Sequence, residues 1–79
     1  LSALVIYAPQ YRDELVITGE LPGAAQLSLY DVQGRKLLGR ALSAGTTQQT
    51  VATGHLPGGI YLVRIESPQG VRSEQLFIP

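Results

Sequence analysis

Short apolar stretches alternate with turn residues along the whole chain, and this rhythm constrains the fold more than any other feature. Gly, Pro, Asp and Ser interrupt the chain about every 8–12 residues, which is the spacing of strands in a small sandwich. No segment carries the 3.6-residue periodicity of an amphipathic helix. The sequence therefore predicts an all-β fold, a small Ig-like β-sandwich of about seven mainly antiparallel strands.

The clearest strand follows the Pro-Gly-Gly turn at residues 57–59. Residues 60–65 are Ile, Tyr, Leu, Val, Arg and Ile, a composition typical of strands. Because side chains alternate along a strand, the apolar face comprises Tyr61, Val63 and Ile65. The opposite face carries Leu62 and Arg64. We predict that this is a central strand whose start is fixed by the two glycines.

Six further strands are predicted at residues 4–7, 14–18, 25–31, 36–42, 47–52 and 71–78. Asp31 and Gly34 suit a type I turn that ends in a left-handed glycine. Gly39, inside the fourth strand, predicts a bulge or the close approach of another backbone. The polar, Thr-rich fifth strand is expected at a sheet edge. The alternation of the last strand breaks near Gln75, so its faces cannot be assigned from sequence.

Length and composition favour one small domain. The chain has 79 residues, with six basic and six acidic side chains, so its formal net charge is zero. That balance argues against a nucleic-acid partner. No apolar run approaches the roughly 20 residues that a membrane-spanning helix needs. Because the chain begins with Leu1 and not Met, we expect residues 1–79 to be a single domain excised from a longer protein.

Reactive side chains are few, and no catalytic, metal or cofactor site is predicted. His55 is the only histidine and there is no cysteine, so a zinc site lacks ligands. His55 precedes the central strand and is interpreted as a loop residue, and no Ser and Asp with it form a recognisable catalytic set. Asp13 and Glu14 are an acidic pair that could bind Ca²⁺ or act in acid–base chemistry. Because neighbours in a strand point to opposite faces, they cannot share a site. We do not expect an enzyme.

Two groups of side chains leave a binding role open. The four tyrosines could form a stacking platform for a sugar or a base, although tyrosines in sandwiches more often pack at the margin of the core. They are Tyr7, Tyr11, Tyr30 and Tyr61. A small basic cluster lies near one predicted hairpin, where a solvated face is the expected role. It comprises Arg35, Lys36 and Arg40.

Four segments, in chain order, then suggest a family. They are residues 6–9 with 13–19, the Leu-Tyr-Asp-Val-Gln-Gly-Arg-Lys-Leu run at 29–37, the Leu-Pro-Gly-Gly-Ile-Tyr-Leu-Val-Arg-Ile run at 56–65, and a terminal hydrophobic strand after Gly70-Val71-Arg72. Together they resemble the C-terminal sorting domain of the type IX secretion system. That module ends many surface and secreted proteins of certain Gram-negative bacteria.

The resemblance implies a sorting signal that a translocon recognises, so that the attached cargo crosses the outer membrane. It implies translocon, shuttle and sortase proteins as partners, passage through the periplasm, and a final location at the cell surface or outside the cell. It assigns recognition to ten residues of the central strand's turn and of the last strand. These are Leu56, Pro57, Gly59, Tyr61, Val71, Arg72, Leu76, Phe77, Ile78 and Pro79.

Two other functions remain open at this stage. One is a carbohydrate-binding or adhesive sandwich on a secreted enzyme, which would need an exposed row of tyrosines or a Ca²⁺ site. The other is a passive spacer with only a stabilising role. An open edge strand would also permit a weak dimer. Secretion of a reporter fused to residues 1–79 separates the sorting function from the other two.

Overall fold

Seven strands and no helix make up the part of the chain that the computed structural model describes, which is residues 4–10, 13–45, 48–54 and 56–79. The strands are β1 (Val5–Tyr7), β2 (Glu14–Thr18), β3 (Ala25–Tyr30), β4 (Lys36–Leu42), β5 (Gln48–Ala52), β6 (Gly59–Ser67) and β7 (Gly70–Ile78). The predicted all-β class is confirmed. The ends of β6 and β7 extend further than expected, into the turn predicted around Pro68, because the hairpin that joins them is tight.

The strands form two antiparallel sheets, one of three strands in the order β1-β2-β5 and one of four in the order β4-β3-β6-β7. Consecutive strands pair as the hairpins β1–β2, β3–β4 and β6–β7. The other connections carry the chain from one sheet to the other, so each sheet is completed by distant segments. This arrangement is consistent with a small Ig-like sandwich.

The core lies between the two sheets and follows the predicted alternation. In β6 the buried residues are Tyr61, Val63 and Ile65, as expected from the sequence. They share the core cluster with Leu15 and Ile17 of β2, which are also buried. The rest of the cluster is Leu4, Ile6, Leu21, Ala25, Leu27, Leu29, Leu38, Leu42, Val51 and Ile78. Burial of this apolar surface is the main force holding the two sheets together.

The β3–β4 hairpin shows one confirmed prediction and one error. Gly34 has φ of 86° and its N–H donates to the Asp31 carbonyl at 3.0 Å, as a type I turn with a left-handed glycine requires. The bulge expected at Gly39 is absent, because Gly39 pairs regularly with Ser28. The register shifts instead beside Leu37, where Leu29 pairs with Leu38 and Tyr30 with Lys36.

The atoms nearest to Gly39 belong to side chains and not to another backbone. A Cβ at Gly39 would lie 3.1 Å from Gln26 Nε2 and 3.3 Å from the end of the Lys36 side chain. Both neighbours are flexible side chains that cross the space a larger residue would fill. The glycine therefore makes room for polar side chains on the outer face of the sheet.

Candidate recognition surface

The turn that leads into β6 is closed by a tyrosine corner, which we call the corner and define as residues 56–59. Tyr61 lies near the start of β6, and its hydroxyl donates to the Pro57 carbonyl at 2.5 Å. Such a bond, from a tyrosine back to the backbone a few residues upstream, is a hallmark of Ig-like folds. The Leu56 N–H donates to the Thr53 carbonyl at 2.9 Å, and the Thr53 N–H donates to the Asp13 carbonyl at 2.7 Å. The corner is therefore fixed to both sheets.

The last strand ends beside this corner. Gly59 pairs with Ile78, Ile60 with Phe77, and Tyr61 with Leu76. Eight of the ten residues predicted for recognition thus gather at one end of the sandwich. They are Leu56, Pro57, Gly59, Tyr61, Leu76, Phe77, Ile78 and Pro79.

The structure does not bring the other two residues to that end. Val71 and Arg72 begin β7, and Val71 pairs with Glu66 near the far end of β6. Position 77 lies six steps along the strand from position 71, which corresponds to about 20 Å at 3.3 Å per residue. A single compact contact site does not span both ends. The ten residues define an extended strip along β7 with the corner at one end.

β7 is an edge strand, because β6 is its only partner in the four-stranded sheet. Its two faces, which the sequence left unassigned, alternate regularly in the structure. The outward, exposed side chains are Val71, Ser73, Gln75 and Phe77. The inward, less exposed ones are Arg72, Glu74, Leu76 and Ile78. The outward face of this edge strand carries no charged side chain, whereas edge strands often carry lysine or proline against unwanted pairing.

Arg72 faces inward and ties β7 to the start of the chain. Its Nη1 donates to the carbonyl of Leu4, the residue before β1, and its Nη2 lies 3.0 Å from Glu74 Oε2. These contacts satisfy charged groups at the open margin between the two sheets. Inward-pointing charges also discourage pairing of an edge strand with another strand. The first half of β7 is therefore protected against pairing with another strand, and the second half, from Gln75, is open to such pairing.

An apolar cluster lies on the outer face of the sheet at the same end as the corner. Ile60, Leu62 and Phe77 are all exposed, with Phe77 at 63%. Ile60 stands directly opposite Phe77, and Leu62 opposite Tyr30. Further along β6, Arg64 Nε lies 3.3 Å from Glu66 Oε1, an ion-pair distance without hydrogen-bond geometry. The outer face of β6 is therefore apolar near the corner and charged toward the β6–β7 turn.

Away from this surface, in the β3–β4 turn, the Asp31 carboxyl has a lowered pKa. The backbone N–H of Arg35, which donates to Asp31 Oδ1 at 3.0 Å, is the main cause that lowers the pKa of the Asp31 carboxyl. The Arg35 Nε at 2.7 Å from Oδ2 and the Gln33 N–H at 2.9 Å from Oδ1 act in the same direction. This carboxylate accepts hydrogen bonds that hold the turn, which is a structural role.

The described residues contain no group of acidic, cysteine and histidine side chains able to hold a metal ion. His55 and Tyr11, both considered for chemistry or binding, lie outside the described residues. The other tyrosines do not share a surface: Tyr7 is on the outer face of the three-stranded sheet, Tyr30 on that of the four-stranded sheet, and Tyr61 in the core. Within the ranges described, no helix is long and apolar enough to cross a bilayer.

The fold and this surface define the class of protein. It is a small Ig-like sandwich that presents an open edge strand and a rigid corner, which are features suited to recognition by another protein. The family follows from comparison with known proteins. Residues 11–79 match the family described as a secretion system C-terminal sorting domain, and the chain belongs to this family. No curated protein matches it.

Membership establishes the general function. The domain is the C-terminal sorting signal of type IX secretion cargo. It therefore interacts with the secretion machinery, and its cargo is exported across the outer membrane to the surface or the medium. The family is not an enzyme family. Sequence reasoning missed one contact of the site, the Leu4 carbonyl that accepts from Arg72, because a contact between residues 68 positions apart has no signal in a single sequence.

Proposed function

We propose that the secretion machinery recognises this domain along β7 and at the corner. The observation that supports this most strongly is that β7 is an edge strand with an uncharged outward face. A partner strand can add to such an edge, so that backbone hydrogen bonds give affinity and alternate side chains give specificity. The half of β7 from Gln75 onward is the open half and lies beside the corner, so this is where we place the main contact.

The ten predicted residues then divide into two roles. The partner touches the exposed ones, which are Pro57, Val71, Phe77 and Pro79. The buried or half-buried ones hold the surface in shape from below, and they are Leu56, Gly59, Tyr61, Arg72, Leu76 and Ile78. Arg72 belongs to the second group because its guanidinium is engaged with Leu4 and Glu74. Deletion of residues 75–79 removes both roles at once and abolishes export.

The partners follow from this division. We propose that an outer-membrane component of the translocon binds the β7 edge. Shuttle and sortase proteins act on the domain and its cargo after passage through the periplasm. Residues 1–79 act as a single module attached to a longer cargo, without catalytic residues or cofactors of their own. Two copies of β7 form at most a weak dimer, since the inward Arg72 and Glu74 oppose strand pairing along its first half.

The proposal is tested by changing outward side chains of β7 that the core does not use. A fluorescent reporter is fused to residues 1–79 and expressed in a cell with a type IX system, and its fraction in the medium and on the surface is measured. We expect Phe77→Ser and Val71→Ser together to reduce export strongly, because both side chains lie exposed on the outward face of β7 that the partner is proposed to touch.

The matched control is Val32→Ser in the β3–β4 turn, where an equally apolar side chain is 76% exposed. It should leave export unchanged. Thermal unfolding of each purified 79-residue variant shows that the fold is retained. Normal export of the β7 double variant, with an intact fold, would place recognition elsewhere on the domain.

A further inference from the structure

The backbone at the end of β7 lies directly over Gly58, the middle residue of the Pro-Gly-Gly turn. A Cβ built at Gly58 would lie 3.2 Å from the Pro79 carbonyl carbon and 3.3 Å from the Ile78 carbonyl oxygen. The Pro79 oxygen would be 3.5 Å away. The first two distances are shorter than ordinary van der Waals contact between such atoms. The absence of a side chain at position 58 therefore lets the strand end rest on the corner.

Glycine is required at position 58 because there is little room for a side chain, and not because of the backbone conformation. Gly58 is not among the described glycines with positive φ, whereas its neighbour Gly59 has φ of 156°. An alanine at 58 would thus find an accessible backbone conformation. The atoms that it meets belong to the main chain, which cannot rotate away as a flexible side chain can. The strand end would have to move by a few tenths of an ångström.

The strand end has little freedom to move inward. Ile78 is 5% exposed and belongs to the core cluster, and it is paired with Gly59. The corner itself is held by the Tyr61 hydroxyl on Pro57 and by the Leu56 N–H on Thr53. A side chain at 58 therefore pushes the last residues outward, away from the corner. It would separate two exposed parts that now lie in contact, Gly58 of the corner and Pro79 at the end of β7.

We infer that Gly58 is a positioning residue, which keeps the corner and the end of β7 in contact so that the secretion machinery meets them as one surface. This inference rests on the proposed function, since it concerns the same surface. It goes further by assigning a role to a residue outside the ten predicted ones. It also makes the relative position of two segments, and not only their side chains, part of what is recognised.

The experiment compares Gly58→Ala and Gly58→Val with Gly23→Ala in the same reporter fusion. Gly23 is a suitable control, because the three atoms nearest to its Cβ would all belong to the flexible Gln69 side chain, at 3.4 Å or more, at the opposite end of β6. We expect a several-fold loss of export for Gly58→Ala, a larger loss for Gly58→Val, and normal export for Gly23→Ala. The thermal unfolding midpoints of Gly58→Ala and Gly23→Ala should agree. In NMR spectra, the amide chemical shift of Ile78 should change only in the Gly58 variants.

The outcomes separate this inference from the proposal on which it rests. If Gly58→Ala is exported like Gly23→Ala while the Phe77 and Val71 double variant is retained, the proposed surface stands and the role of Gly58 is refuted. If the double variant is exported normally, the proposed surface itself fails. Loss of folding in Gly58→Ala would also overturn the inference, because the residue would then serve stability and not the position of the strand end.

Discussion

Tyr61 offers the sharpest test of how the corner is built, because its ring and its hydroxyl do different things. The ring is part of the core and the residue is only 6% exposed. The hydroxyl reaches out of the core to the Pro57 carbonyl at 2.5 Å. Tyr61→Phe removes the hydroxyl alone, and Tyr61→Ala removes both. The difference between the unfolding free energies of the two variants therefore measures how much the ring contributes to stability.

The expected sizes follow from these contacts. Loss of one intramolecular hydrogen bond costs about 0.5–1.5 kcal/mol of unfolding free energy. Replacing a buried aromatic ring by alanine costs about 3–5 kcal/mol. A domain of this length has a total stability of about 4–12 kcal/mol, at 0.05–0.15 kcal/mol per residue. Tyr61→Ala should therefore remove a large part of the stability, whereas Tyr61→Phe leaves a well-folded domain.

Urea unfolding of the 79-residue chain at 25 °C, followed by far-ultraviolet circular dichroism, measures both changes. Tyr7→Phe and Tyr7→Ala serve as controls, because Tyr7 lies on the outer face of β1 and is 45% exposed. The Tyr7 substitutions should lower the free energy of unfolding by about 1 kcal/mol or less. If Tyr61→Ala were no more destabilising than Tyr61→Phe, the ring would not be part of the core and the assignment of β6 as the central strand would be wrong.

Two further predictions concern the contacts that hold the ends of the strands. Arg72→Met removes the bonds to the Leu4 carbonyl and Glu74, so it should cost about 1.5–3 kcal/mol and speed amide hydrogen exchange in β1. Arg64→Met, at a half-buried position on the outer face of β6, should leave hydrogen exchange in β1 unchanged. Equal exchange rates in both variants would show that Arg72 does not hold β1 to β7. Asp31→Asn should lower stability only at pH values where the wild-type carboxyl is ionised. The pKa of Asp31 is lower in the folded than in the unfolded chain, so its stabilisation is present above the unfolded value of about 3.9 and lost as the pH falls through the folded value. A variant-to-wild-type difference that persisted at lower pH would refute this.

Most of the fold could be predicted from sequence because alternation in the central strands is governed by burial. Leu27 and Leu29 in β3, and Tyr61 and Val63 in β6, lie in the core as their spacing predicts. The Asp31 turn was predictable because its residue types satisfy one another within the turn itself. Such features depend on neighbours close in the chain, and a single sequence contains them.

The features that were not predictable depend on distant partners. The faces of β7 looked ambiguous because Arg72 and Glu74 point inward, and only the Leu4 carbonyl, 68 positions from Arg72, explains why that is tolerated. The contact between Gly58 and the end of β7 likewise joins segments about 20 positions apart. The glycine predicts a bulge at position 39, but the register shifts beside Leu37, because a glycine can also accommodate side chains from nearby positions of the sheet.

The central claim is that the machinery contacts the β7 edge beside the corner, and site-specific photocrosslinking in secreting cells tests it most directly. A photoreactive amino acid is placed at position 77 in one fusion and at position 32 in another, both exposed in the structure. We predict crosslinks to an outer-membrane protein of the secretion machinery from position 77 and none from position 32. Crosslinks from position 32 alone, in a fusion that is exported normally, would contradict the account.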